Sequence, residues 1–214
     1  MLALAAGLPA AAAAPAAAGT TTYTVTNLGS LGGGYTVGAA LNNNGQVTGY
    51  SATAATITFT CGTGKHRTTC TEHPDHAFVW SNGTMTDLGT LGGNDSAGKS
   101  INLSGEVVGW AQNTSGSSHS VLWSGGKMTD LTAAGLSGSV AWSNDSGQIV
   151  GGSGPTGQGP FLDSNGTITQ LPLPNYGPAT EVGTTTCSAI MINNNGVVLG
   201  GCSDPSSSFS SPRR

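Results

Sequence analysis

Charged residues are scarce in this chain, at 7% of 214 positions, and only six are lysine or arginine. With a formal net charge of −4, the chain has too little positive charge for an electrostatic nucleic-acid interface. Low charge does not indicate disorder here, because hydrophobic residues make up 36% of the chain and the net charge is small. The composition predicts a folded protein that does not bind nucleic acid.

Signatures of common enzyme classes are also absent. The sequence has no Gly-x-Ser-x-Gly elbow, no His-Glu-x-x-His motif and no phosphate-binding glycine loop. The run from Ser143 to Gly147 resembles the sialidase Asp-box, but that box is a structural turn, and Arg67 is the only arginine in the repeat region. Glu72 and Asp75 could form a catalytic pair, although such acids beside basic residues are more often part of a solvated loop. We therefore predict no catalytic residue and no cofactor.

Long apolar runs are limited to one alanine-rich segment at the start. Residues 1–18 have the apolar core and the Ala-x-Ala cleavage site of a secretory signal, without its basic n-region. The run is too short for a stable membrane span and is broken by Pro9 and Pro15. We expect a signal-peptide-like leader and a secreted protein; a disordered alanine and proline leader is the alternative.

Glycine, by contrast, is abundant and stands in a repeated register. An Asn-x-x-Gly pattern typical of type I turns occurs four times. Another glycine follows each of these turn glycines by four residues, and the short β-branched runs between them indicate strands. The four turns are Asn42–Gly45, Asn102–Gly105, Asn144–Gly147 and Asn193–Gly196.

A second hairpin follows the first in each repeat, closed by a two-residue turn at Asn82-Gly83, Gly125-Gly126 or Asn165-Gly166. His76 and His119 are 43 residues apart, and a four-strand period of about 40 to 50 is the signature of a propeller blade. We predict an all-β, propeller-like array of about four four-stranded antiparallel blades; another all-β repeat or a sandwich is the alternative.

The predicted domain spans residues 20–203, and a Ser-rich tail follows at 204–214. A strand at 23–28 is expected to close the ring by bringing Val25 to the strand at Val197–Leu199, with Phe209 in place of a missing third strand. The predicted repeat units cover about residues 36–90, 97–132, 138–172 and 180–203.

The segments HAFVWSNGTMTDLGTLGG and SINLSGEVVGWA, in that order, closely resemble the bacterial extracellular HAF repeat family. The likeness covers roughly Tyr23 to Ser203, and it implies an extracellular location and a repeat architecture rather than a particular reaction. The chain departs from the pattern at residues 131–134, where LGTL is expected, and at Asp163, where a tryptophan is expected.

The insertion from Ser51 to Asp75 is the chemically distinctive segment, and we expect it to be mobile and exposed. The four cysteines are predicted to form two local disulfides in an oxidising compartment. A zinc site is the alternative for the insertion, although His76 also belongs to the repeat motif. The predicted pairs are Cys61–Cys70 and Cys187–Cys202, and the zinc candidates are Cys61, Cys70, His73 and His76.

The tryptophans could stack on sugars or pack between blades, and the shared repeat position of Trp80 and Trp123 favours packing. We predict a secreted, non-enzymatic repeat protein that binds a glycan or protein partner through its loops. Two alternatives stay open: a secreted hydrolase or metal-binding protein that uses the 51–76 insertion, and a truncated repeat copy without independent function.

Overall fold

The computed structural model describes residues 24–136, 138–153, 159–172 and 186–203. The predicted leader at 1–18, the tail with Phe209 and the part of the fourth unit before Thr186 lie outside the described residues. The described chain is built of antiparallel strands, with one 3-10 turn at Gly64–His66. The all-β prediction is therefore confirmed. Within the described ranges, no helix is long and apolar enough to cross a membrane.

The first two repeat units are separate four-stranded antiparallel meanders with the predicted order of strands. The first sheet consists of β1 (Gly32–Leu41), β2 (Val47–Thr53), β5 (Asp75–Ser81) and β6 (Thr84–Asp87). The second sheet consists of β7 (Gly92–Ile101), β8 (Val107–Asn113), β9 (Ser118–Ser124) and β10 (Lys127–Asp130).

The third unit repeats this meander and is extended by one hairpin from the fourth unit. A single bridge between Gly152 and Ser188 joins that hairpin to the third sheet. The third unit consists of β11 (Gly138–Ser143), β12 (Ile149–Ser153), β13 (Phe161–Ser164) and β14 (Thr167–Gln170), and the hairpin consists of β15 (Thr186–Ile192) and β16 (Val198–Ser203).

The closure of the array by its N-terminal segment, predicted from the sequence, is wrong for the described residues. Residues 24–30 form no strand, and Val25 is 95% exposed. The segment turns at Asn27, whose side-chain oxygen accepts the Gly29 N–H, and Leu31 then bridges to Thr53 of β2. These contacts direct residues 24–30 toward the first sheet rather than toward β16.

A β-bulge faces a glycine in the first hairpin of every unit. In the second unit the register shifts between Gly98 and Ser100, and a Cβ at Gly109 would lie only 2.0 Å from the carbonyl oxygen of Ala97. Only glycine permits this approach, which explains the second glycine of each repeat. The same crowding occurs at Gly49, Gly151 and Gly200.

The apolar core lies between successive sheets rather than within one layer. The first interface buries Ile101 and Trp123 of the second sheet against Ala77 of the first. The second interface packs Val108 and Leu122 against Val140, Ile149 and Phe161 of the third unit. The third interface packs Val150 and Trp142 against Ala189, Ile192 and Val198 of the last hairpin. Each sheet is thus stabilised by its neighbours in the array.

The turn asparagines Asn42, Asn102, Asn144 and Asn193, which we call the asparagine ladder, connect successive units at the first turn. The side-chain amide of Asn42 donates to the carbonyl oxygen of Asn102 at 2.8 Å, that of Asn102 to Asn144 at 3.3 Å, and that of Asn144 to Asn193 at 3.0 Å. Asn42, Asn102 and Asn144 are buried, so these hydrogen bonds are shielded from water.

The insertion, predicted to be a loop, folds as a two-stranded antiparallel hairpin of its own. Its strands are β3 (Ile57–Cys61) and β4 (Thr68–Glu72), which pair with each other and with no strand of the main sheets. A disulfide joins Cys61 to Cys70, with their Cα atoms 5.8 Å apart. The insertion therefore lacks the repeat pattern because it forms a separate local hairpin, which the disulfide closes.

We predict that trypsin cuts the native protein first at the tip of this hairpin, after Lys65 or Arg67, because both residues are exposed there. The two fragments should stay linked by the Cys61–Cys70 disulfide, so they should separate on a gel only after reduction. The double variant Lys65→Gln/Arg67→Gln is the control and should resist the first cut. Fragments that separate without reductant would contradict this pairing.

Candidate functional site

The four zinc candidates do not come together. Cys61 and Cys70 form a disulfide, and His73 bonds the carbonyl oxygen of Ala55 through Nδ1 at 2.9 Å. His76 Nδ1 lies 2.8 Å from an oxygen of Asp87. Among the described residues, no three or more His, Cys, Asp or Glu side chains are placed to hold a metal ion. The second predicted pair, Cys187 and Cys202, is also bonded, with a Cα separation of 4.0 Å.

The histidines of the repeat motif have a structural partner. His76 pairs with Asp87, and His119 pairs with Asp130 at 2.7 Å, in each case joining the third strand of a unit to its fourth. The third unit has Gly159 and Gln170 at these places, so both members of the pair are replaced together. The His-Asp pair therefore links the two strands of the second hairpin in the first two units.

Burial raises the pKa of the Asp130 carboxyl. Hydrogen bonds from the Ala133 N–H and from His119 together lower the pKa by more than burial raises it, so the pKa lies below its ordinary value. A carboxyl with a depressed pKa stabilises the fold above the pKa of the unfolded chain. That contribution is lost as the pH falls through the lower folded-state value.

We therefore predict that the thermal unfolding midpoint of the wild type falls as the pH is lowered from about 4 to about 2, and that Asp130→Asn reduces this loss. Calorimetry across this pH range measures the thermal unfolding midpoint of each variant. Thr129→Ala, a change at an exposed position of the same strand, is the control and should keep the wild-type slope. An identical acid dependence in Asp130→Asn would contradict the assignment.

The two acids of the insertion have different environments. Glu72 is exposed, whereas the Asp75 carboxylate accepts the Tyr35 hydroxyl at 2.5 Å. This hydrogen bond, with smaller contributions from burial and from the charge of Asp75, raises the pKa of Tyr35 to about 12. Asp75 thus ties the base of the insertion to β1.

The tryptophans are placed mainly for packing. Trp123 is only 5% exposed and donates its Nε1 hydrogen to the carbonyl oxygen of Leu88 at 2.9 Å. Trp142 packs at the third interface. Trp80 and Trp110 are half-buried. No pair of these side chains forms a ring contact in the described part of the chain, where the only such contact joins Tyr35 and Tyr50.

The pairing of the strands identifies one repeat position whose residue differs between the interfaces. Trp80, Trp123 and Asp163 are equivalent, because they pair with Val47, Val107 and Ile149 at the start of the second strand of their units. In the first interface, Trp123 fills the space between the second sheet and the first. The much smaller Asp163 occupies the same position in the second interface.

A groove of about 550 Å³ lies between the second and third units at this position. We call it the inter-sheet groove. Its apolar lining residues include Leu122, Leu131, Leu136 and Ile168, and its polar lining residues include Ser104, Glu106, Asp145, Asp163 and Asn165. None of the described residues that line it is a lysine or an arginine.

The three carboxylates of the groove differ in their hydrogen bonds. Glu106 accepts from Asn102 at 2.7 Å and from Ser124 at 2.8 Å. Asp145 accepts the Leu103 N–H at 2.8 Å and the Asn194 side chain at 2.5 Å. Asp163 is only 5% exposed, and its Oδ1 atom has no hydrogen-bond partner. A buried acceptor without a donor is costly, and a ligand that donates a hydrogen bond would offset this cost.

Sequence reasoning identified Asp163 as a departure from the repeat but did not assign it to a site. The signal was present, because a carboxylate at a position that holds tryptophan elsewhere replaces a large apolar group with a small charged one. The rest of the groove could not be predicted from this position, because Leu131 and Leu136, which also line it, belong to the connection between units.

The chain matches no family model, no curated protein and no solved structure. The candidate site therefore rests on its own geometry.

Proposed function

We propose that this protein is a secreted, non-enzymatic repeat protein of the HAF type that binds a glycan in the inter-sheet groove. The observation that carries the proposal is the buried, unpartnered Oδ1 atom of Asp163 at the wall of a groove that tryptophan would otherwise fill. A structural carboxylate would be expected to find a donor within the fold, as Glu106 and Asp145 do.

The lining of the groove supports a sugar as the ligand. A sugar ring has one face of C–H groups and a rim of hydroxyl donors, so it matches a lining that combines the apolar side chains of Leu122, Leu131 and Ile168 with the polar side chains of Asp163 and Asn165. Among the described residues of its lining there is no lysine or arginine to pair with an acidic sugar. Neutral and amino sugars are therefore the class that it favours.

Two further observations support secretion. All four cysteines of the chain are paired in local disulfides, which persist in oxidising compartments. The alanine-rich start of the sequence has the composition of a secretory signal. Both agree with the extracellular location that the repeat resemblance implies.

We also propose that the units form a propeller-like arc. Support comes from the four-stranded meanders, the stacking of successive sheets and the asparagine ladder along their first turns. In such an arc, the first strands β1, β7, β11 and β15 are adjacent in order. The inter-sheet groove then opens between the second and third blades.

The proposal predicts that Asp163→Trp abolishes binding, because the indole restores the group that fills the first interface. The same variant should raise the thermal unfolding midpoint, since it removes an unpaired buried acceptor. Asp163→Asn keeps the shape but loses the charge, and it should weaken binding by roughly tenfold, the effect expected for a hydrogen bond to a charged group.

A panel of immobilised neutral, amino and acidic glycans identifies a ligand, and calorimetric titration then compares the variants. Glu72→Gln, in the insertion, is the control and should bind like the wild type. Binding that survives Asp163→Trp but is lost in Glu72→Gln would favour the insertion as the site. Hydrolysis of a panel sugar would support the hydrolase alternative, and no binding to any glycan would contradict the proposal.

A further inference from the structure

The inter-sheet groove brings together acidic side chains at repeat positions that hold no acid at the other interfaces. These positions are the residue after the turn glycine of one unit and, in the next unit, the second turn residue and the third-strand position. At the second interface they hold Glu106, Asp145 and Asp163, all of which line the groove. At the first interface they hold Gln46, Leu103 and Trp123, and at the third the two turn positions hold Gln148 and Asn194.

The three acids come from two units. Glu106 belongs to the second unit, and its Oε2 atom would lie 3.8 Å from a Cβ at Gly147 of the third unit. Asp145 lies in the same turn as Gly147, and Asp163 lies on β13 of the third unit. The ion pairs found among the described residues are the two His-Asp pairs, and neither includes a groove carboxylate. Negative charge is therefore concentrated where the second and third units meet.

Asp163 distinguishes this groove from an acidic surface. It lies two residues after Phe161 on β13, so both side chains project to the same face of the strand. Phe161 packs there against Val108 and Leu122 of the second unit, and Asp163 lines the groove on that face. Asp163 is only 5% exposed, and its Oδ1 atom has no hydrogen-bond partner in the described structure. This buried carboxylate oxygen has neither a donor nor a counter-charge beside it, which is costly.

An ammonium group would supply both. A sugar hydroxyl donates a hydrogen bond without a charge, whereas an ammonium has three donors and a full positive charge. A metal ion is a poorer match, because no three His, Cys, Asp or Glu side chains of the described residues are placed to hold one. The apolar side chains of Leu122, Leu131 and Ile168 suit the ring carbons of a sugar that carries the ammonium.

We propose that the glycan bound in the inter-sheet groove carries a free ammonium group, so that its chemical class is the N-unsubstituted amino sugars. This inference rests on the proposed glycan-binding function and narrows its ligand. Asp163 accepts a hydrogen bond from the ammonium, and Glu106 and Asp145 add to the negative potential around it. An N-acetylated amino sugar lacks the charge, because its nitrogen belongs to an amide.

Three β-1,4-linked hexasaccharides that differ only at carbon 2 of each ring test the proposal by calorimetric titration. They are the hexamers of glucosamine, of N-acetylglucosamine and of glucose, which present an ammonium, an amide and a hydroxyl. The wild type should bind the glucosamine hexamer at least about tenfold more tightly than the other two. The preference should decrease as the salt concentration rises, because salt screens the charges.

Two variants of the groove should reduce this preference. Asp163→Asn should reduce it by about tenfold, and Glu106→Gln by about threefold because Glu106 is less buried. Glu106→Gln should keep the fold, since Gln46 accepts the Asn42 amide at the equivalent place in the first unit. Glu72→Gln removes one negative charge from the exposed insertion and should keep the wild-type preference.

Equal affinity for the three hexamers would overturn this inference and leave glycan binding in the groove intact. An unchanged preference in both groove variants would overturn it as well. A lysine hexapeptide supplies ammonium groups without a sugar, and it should bind more weakly than the glucosamine hexamer. Binding of that peptide as tight as that of the glucosamine hexamer would overturn the sugar as the carrier of the charge. No binding to any glycan would instead contradict the proposed function itself.

Discussion

Each ladder asparagine closes its own turn with its side-chain oxygen, and three of the four hold the next turn with their side-chain nitrogen. In Asn144, for example, Oδ1 accepts the backbone N–H groups of Ser146 and Gln148, while the amide donates to Gln148 and to Asn193. The turn and the contact between units therefore depend on one residue. Because Asn42, Asn102 and Asn144 are each buried at the junction of two units, removing one of them would affect both units together.

The asparagine ladder fixes the first turns of successive units relative to one another. It leaves the outer strands free to vary. At the first interface the variable position holds Trp123, which packs and hydrogen-bonds to Leu88. At the second it holds Asp163, and the inter-sheet groove lies there. A repeat scaffold can thus carry a site wherever one unit departs from the pattern, without loss of the stacking that stabilises it.

The local features of this structure could be predicted from the sequence. Asn-x-x-Gly and Asn-Gly turns identify hairpins because Asn and Gly accept backbone angles that other residues avoid, as the positive φ values of Asn82 and Asn165 show. The nine-residue spacing of Cys61 and Cys70 likewise fits a local pair. These features depend on neighbours in the chain, so a single sequence is enough to find them.

The remaining features depend on which surfaces meet, and residue types alone do not decide that. Closure through Val25 was wrong because the turn at Asn27 and the bridge from Leu31 to Thr53 direct the segment elsewhere. Asn102 was recognised as a turn residue, but its hydrogen bond to Asn144 joins residues 42 apart. The groove at Asp163 could not be predicted for the same reason, because part of its lining comes from another unit.

Nuclear magnetic resonance of the asparagine side-chain amides is the most direct test of the ladder. The account predicts slow hydrogen exchange for the amides of Asn42, Asn102 and Asn144, with couplings across hydrogen bonds to the carbonyl carbons of Asn102, Asn144 and Asn193. The exposed amide of Asn43 provides the fast-exchanging reference. Exchange of the three ladder amides as fast as that of Asn43, without these couplings, would contradict the account.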